Sequence, residues 1–147
     1  MEDEVRVAIN SDADLVTVRA EGRAMAHRLG FPRPDPTLIA TAISEIARNI
    51  VVHAGGGEIL LKPCEDDHRY GLVVIATDNG PGIRDLAAAL REDYSGRGGL
   101  GLGLPGARRL MDDFEISSDA DSGTTVTMTK WRFRDDLALL REQRRRA

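Results

Sequence analysis

Cysteine occurs once in the 147 residues, at Cys64, so no intramolecular disulfide can form. Lysine occurs twice, at Lys62 and Lys130, and neither follows a glycine, which removes the phosphate-binding loop that ends in Gly-Lys-Ser/Thr. Cys64 and His68 are too few for a zinc site, and no serine stands in a nucleophile elbow. Metallohydrolase and serine-hydrolase chemistry therefore find no support. No apolar run approaches the roughly 18 residues of a membrane span. The opening Met-Glu-Asp-Glu is acidic where a signal peptide needs a basic and then an apolar segment, so a cytoplasmic protein is expected. Positive charge is also short. The formal net charge is −4, and the last fourteen residues hold five basic and three acidic side chains, which leaves the remainder more acidic still. Broad electrostatic binding to nucleic acid or to a membrane is disfavoured.

What is there suits one folded domain: 41% apolar and 30% charged residues, both signs interspersed, over a length typical of a single core. Val5, Val7 and Ile9 alternate with polar residues as a half-buried strand does, and Asn10-Ser11-Asp12 can cap a helix from about Ala13 to Leu29. Three prolines at 32, 34 and 36 make a connection, with Asp35 as N-cap of a second helix. Its apolar members Ile39, Ala42, Ile43, Ile46, Ile50 and Ala54 recur at three and four, and Gly55-Gly56-Gly57 ends it. Glu58 to Lys62 and Tyr70 to Thr77 read as an antiparallel hairpin around a polar turn. A short helical segment is expected at Asp85 to Arg91, a helix at Leu104 to Met111, and closing strands at Phe114 to Ile116 and Thr124 to Phe133. The order β-α-α-β-β-loop-α-β-β predicts an α+β fold: a two-layer α/β sandwich whose mixed, mostly antiparallel sheet carries helices on one face.

Three constellations can carry chemistry. Glu45, Asn49 and His53 stand at i, i+4 and i+8 of the second helix, which on an α-helix places them on one ridge beside the apolar stripe. A carboxylate one turn from a carboxamide suits a site where Asn offers a neutral oxygen to Mg²⁺ and Glu orients a nucleophile or takes its proton. A solvated helix border is the competing reading, and for His53 a packed or exposed histidine. Asp78-Asn79-Gly80-Pro81-Gly82-Ile83, at the end of an apolar strand, lets the backbone pass close to a flat ligand while the aspartate accepts from an exocyclic amine. An ordinary tight turn is the alternative. Finally, six of the eleven residues from Gly96 to Gly106 are glycine, and the run leads into a helix N-terminus, the arrangement whose amides hold phosphate. Leucines at every second position set it apart from a flexible linker. A dinucleotide fold is discarded, because the stretch before this run is polar and glycine-rich where a strand is required.

Taken together, Ser44 to Asn49 (SEIARN), Asp78 to Ile83, Gly98 to Asp112 and Gly123 to Trp131 (GTTVTMTKW) resemble the four ordered boxes of the GHKL ATPase superfamily, whose ATP-binding domain is the Bergerat fold. Within it the glycine run and the closing strand are most similar to the serine/threonine switch kinases of the RsbT type, which act in bacterial stress-signalling complexes. The similarity covers roughly Val5 to Trp131. It implies an ATP-binding kinase domain at 1–133; the Arg-rich tail at 134–147 falls outside the similarity and is expected to be helical or disordered. By resemblance, Asn49 binds Mg²⁺ and Glu45 is the catalytic base, with Arg48 a candidate for contacting the partner or the γ-phosphate. Asp78 takes the adenine amino group on a floor shaped by Gly80, Gly82 and Ile83. Gly99, Leu100, Gly101, Leu102 and Gly103 form the loop over the phosphates, Thr125 stands near adenine, His53 joins the cofactor-binding set, and Arg84 to Gly98 is a short lid.

Fold resemblance alone does not fix activity in so varied a superfamily. A chain of this size is expected to act on something supplied in trans. The resemblance implies an ATP- and Mg²⁺-dependent protein serine/threonine kinase that phosphorylates a STAS-domain antagonist or scaffold protein, with a PP2C-type phosphatase as a further partner. The alternative is an anti-sigma factor or partner-sequestering module whose affinity nucleotide tunes. A third reading, a solitary ATPase, lacks any visible group to position an attacking water.

Overall fold

The computed structural model describes residues 4–80, 103–119 and 123–133. Five strands form one sheet: β1 (Val5–Ile9), β2 (Gly57–Glu65), β3 (Arg69–Asp78), β4 (Asp113–Asp119) and β5 (Gly123–Phe133), in the spatial order β1-β2-β3-β5-β4. All four strand pairs are antiparallel, which resolves the expected mixed sheet to an antiparallel one. Among the described residues three α-helices accompany it: α1 (Asp12–Arg28), α2 (Asp35–Asn49) and α3 (Gly103–Leu110). The expected segment at Asp85 to Arg91, the lid and the tail at 134–147 lie outside the described residues.

Local chemistry accounts for the element ends. Asp14 in the first turn of α1 reaches back to accept from the backbone N–H of Asn10 and Ser11, satisfying donors that a helix start leaves open. α2 begins at Asp35 with Pro36 in its first turn, where a missing N–H costs nothing. It does not run unbroken to Ala54. After Asn49 the chain widens into a π turn over Ile50–Ala54, closed by Gly55 in the left-handed region at φ 78° with its N–H on the Ile50 carbonyl.

One face of the sheet supplies Ile59 and Leu61 of β2, Leu72, Val74 and Ala76 of β3, and Val126 and Met128 of β5. These pack with Val18, Met25 and Ala26 of α1 and Ile39, Ala42, Ile43 and Ile46 of α2 in one buried cluster. Alternation along each strand sends the next residues to the opposite face. α3 closes the layer with Leu104 and Ala107, and Lys130 of β5 donates to the carbonyl of Leu110 at its last turn. α2 thus lies between α1, the sheet and α3, so the polar border of α2 faces the start of α3.

Candidate nucleotide site

The site is assembled where the C-terminal end of β3, the end of α2 and the start of α3 meet. Across the sheet at that end runs a row of paired residues: Ile9, Gly57, Asp78, Thr124 and Ser118, one from each strand. Asp78 is half-buried. Its Oδ1 accepts the backbone N–H of Gly80 at 2.9 Å, which bends the chain directly after the strand.

Three glycines make room for this turn. A Cβ on Gly57 would stand 2.3 Å from the Thr77 carbonyl oxygen and one on Gly123 2.0 Å from the Asp78 carbonyl oxygen, both rigid backbone atoms. A Cβ on Gly80 would stand 2.6 Å from the Cβ of Ala54, because the π turn presses the end of α2 directly onto this loop. Gly57 stands in the sequence as part of a helix end and Gly123 as the head of the closing box, yet both crowd the backbone around Asp78. The register sets Gly57 opposite Asp78, and the close approach of the backbones brings Gly123 against the Asp78 carbonyl.

Glu45 lies on the α2 ridge that faces α3, and its Oε1 accepts the backbone N–H of Gly103 at 2.7 Å. Asn49, one turn further on, shares that ridge and is half-buried. The third expected member does not belong to it: His53 falls in the π turn, whose wider winding takes it off the i+4 ladder, and it is exposed. Arg48 is half-buried in the last turn of α2.

Thr125, expected near adenine, pairs with Thr77 and lies on the sheet face away from the helices, since directly opposed residues share a face and successive ones alternate. The neighbour of Asp78 on the helix-facing side is Thr124, 9% exposed, with its hydroxyl 2.8 Å from that of Ser118. The two adjacent threonines are indistinguishable by type, and one residue of register decides between them. Gly82, Ile83, Gly99, Leu100, Gly101 and Leu102 lie outside the described residues.

These residues fit a nucleotide with its metal: a carboxylate in a glycine cradle that side chains would fill, a carboxamide oxygen beside a carboxylate, and a glycine run entering a helix. Among the described residues no group of three or more His, Cys, Asp and Glu could hold an ion by itself. A divalent ion at Asn49 would take its remaining ligands from phosphate and water, as Mg²⁺ ordinarily does.

The sequence pattern of the histidine kinase-like ATPase domain matches residues 9–130. The chain belongs to that family. It is 45% identical over 131 residues to the serine/threonine-protein kinase RsbT of Bacillus subtilis (strain 168), covering 89% of this chain and 98% of that one. It is 32% identical over 108 residues to the anti-sigma F factor of Bacillus licheniformis, covering 65% of this chain and 73% of that protein. Among solved structures, the RsbU and RsbW domains of Rv1364c from Mycobacterium tuberculosis superpose with a TM-score of 0.60 at 24% identity, over 88% of this chain and 32% of that one. The SiaB-SiaC complex from Pseudomonas aeruginosa gives 0.53 at 15% identity, over 88% and 89%. Both likenesses concern the fold. Within the histidine kinase-like ATPases the chain is a serine/threonine kinase of the RsbT type, and its domain is one that uses nucleotide. Among the described residues no helix is long and apolar enough to cross a membrane.

Proposed function

We propose that this RsbT-type kinase transfers phosphate from ATP, with Mg²⁺, to a serine or threonine of a STAS-domain antagonist or scaffold protein in the cytoplasm, and that it releases that partner as a result. One observation carries the reading: Glu45 touches Gly103, so the ridge bearing Glu45 and Asn49 lies against the end of the glycine run. A hydroxyl brought to the phosphates from that side would meet the Glu45 carboxylate.

Asp78 would accept from the adenine amine on the floor made by Gly57, Gly80 and Gly123, with Thr124 beside it. The amides of the glycine run would hold the phosphates, and Asn49 would hold the metal. Mg²⁺, when bound, neutralises charge on the phosphates and orients them. Glu45 would orient the incoming hydroxyl and draw its proton, and the gain would come from positioning more than from covalent chemistry. Phosphate on the partner would weaken the complex through like-charge repulsion against an acidic chain. A PP2C-type phosphatase would be a second partner, engaged once the first has left.

The test is incubation with labelled ATP, Mg²⁺ and a STAS-domain protein encoded beside this chain. Label is expected on the partner, and none with Asn49→Ala. An unlabelled partner under conditions where the two proteins bind would overturn the proposal. The 32% identity to an anti-sigma factor favours a second reading, in which nucleotide tunes capture and transfer is incidental. Glu45→Gln separates the two: if capture and release persist while transfer is lost, the sequestering reading stands.

A further inference from the structure

Gly103 sits at a junction. It has φ 64°, in the left-handed region that favours glycine, and it is where the glycine run turns into α3. Pro105, two residues on, has no N–H to give, so the helix start has few backbone donors. One of them, the Gly103 N–H, is committed to a half-buried carboxylate 58 residues away in sequence. A charge-assisted bond of 2.7 Å at the positive end of a helix is favourable twice over, through the hydrogen bond and through the helix dipole. Leu104 and Ala107 of α3 share the buried cluster with the α2 stripe, and apolar burial of this kind is non-directional. The Glu45–Gly103 bond is directional and fixes where the run ends.

We propose that Glu45 is a positioning residue in addition to any part it takes in proton transfer: it pins the helix-side end of the glycine run, so that nucleotide affinity depends on its ability to accept a hydrogen bond. This rests on the reading of the run as a phosphate loop. A carboxylate acting purely as a base would leave nucleotide binding untouched when replaced. A pin fails when the acceptor is removed and survives when a neutral acceptor takes its place.

Glu45→Gln keeps an amide oxygen in position, whereas Glu45→Ala removes the acceptor and keeps good helix propensity. Three readouts are taken on each: backbone amide exchange at Gly103 without nucleotide, calorimetric titration with Mg²⁺ and ADP, and phosphate transfer to the partner. In Glu45→Ala the Gly103 amide is expected to exchange at least about tenfold faster and ADP to bind about tenfold more weakly, the scale of one charge-assisted hydrogen bond. In Glu45→Gln both stay within about threefold of the parent, the margin left for a neutral acceptor, while transfer is lost. Equal ADP affinity in the Ala and Gln variants, or unchanged Gly103 exchange in Glu45→Ala, would overturn the pin. If the parent itself takes up no ADP, the nucleotide reading is what fails, and the exchange measurement still decides whether Glu45 holds Gly103.

Discussion

Thr124 stands directly opposite Asp78 across the β3–β5 ladder on the helix-facing side, whereas Thr125 is opposite Thr77 on the other side. The Thr124 hydroxyl is within 2.8 Å of Ser118, so a hydrogen-bonded pair borders the aspartate. Thr124→Val keeps the side-chain shape and removes that hydroxyl. It is expected to weaken binding of Mg²⁺ and ADP by about fivefold to tenfold, near 1 kcal/mol for one buried hydrogen bond. Thr125→Val should change it by less than about twofold, since its methyl and hydroxyl point away from the site. Equal effects in calorimetric titration would show that the register does not define the pocket wall.

The glycines at this end differ in what surrounds them. Gly123 combines φ 83° with a prospective Cβ only 2.0 Å from the Asp78 carbonyl oxygen, and Gly57 places its Cβ 2.3 Å from that of Thr77. Gly55 has a similar φ of 78° and nothing within 4 Å. Gly55→Ala is therefore expected to cost about 1 kcal/mol, the backbone term alone. Gly123→Ala and Gly57→Ala must push strands apart and should each cost about 2 to 4 kcal/mol in urea unfolding, the overpacking range and above. If all three variants melt alike, backbone crowding around Asp78 is not what holds these positions.

Much of this architecture is legible in the sequence, because the signals are local. The alternation of Val5, Val7 and Ile9 matches β1 residue for residue, and the spacing of Ile39, Ala42, Ile43 and Ile46 marks the buried stripe of α2. What stays hidden depends on one residue more or less. Ile50 and Ala54 fit an α-helical period, so the π turn that displaces His53 leaves no trace in the pattern. β2 continues through Pro63 to Glu65 on its pairing with β3, and Pro63 is tolerated because β1 reaches only as far as Leu61, so beyond it one side of β2 has no described strand to bond. β4 extends past Ile116 through Ser117, Ser118 and Asp119, a polar stretch that only its pairing with β5 makes a strand. Glu45, Asn49 and Asp78 could be named from motif chemistry. That Glu45 would find Gly103 required the packing of α2 on α3.

At the other end of α3, Lys130 donates from Nζ to the Leu110 carbonyl at 3.0 Å, and the same group is 3.8 Å from Asp112 Oδ1. Asp112 in turn accepts the backbone N–H of Trp131 and gives its own to the Thr129 carbonyl. Lys130 thus satisfies a helix-end acceptor with a favourable charge. Lys130→Met retains the packed stem and drops the ammonium. It should destabilise the domain by about 1 to 2 kcal/mol, read from the urea midpoint. A change below about 0.3 kcal/mol would mean that water serves the carbonyl equally well.

The β2–β3 turn supplies a pH-dependent element with an optical reporter beside it. Asp66 accepts the Arg69 Nε at 2.9 Å and the backbone N–H groups of His68 and Arg69 at 3.0 Å. The Arg69 side chain, and then the His68 amide, hold its carboxyl below the usual aspartate range. Arg69 also lies 3.8 Å over the ring of Trp131, the single tryptophan, whose indole N–H donates to Asp113. A carboxyl with a lowered folded-state pKa adds stability above its unfolded pKa, near pH 4, and loses it as pH falls through the folded value. Asp66→Asn should therefore unfold at lower urea than the parent at pH 7, with a small difference because the pair is exposed. That difference should shrink as the pH is lowered below about 4 and close once the parent carboxyl is protonated too. Trp131 fluorescence reports the unfolding, and a gap between the two proteins that stays constant from pH 7 to pH 3 would rule out the Asp66 carboxylate as its source.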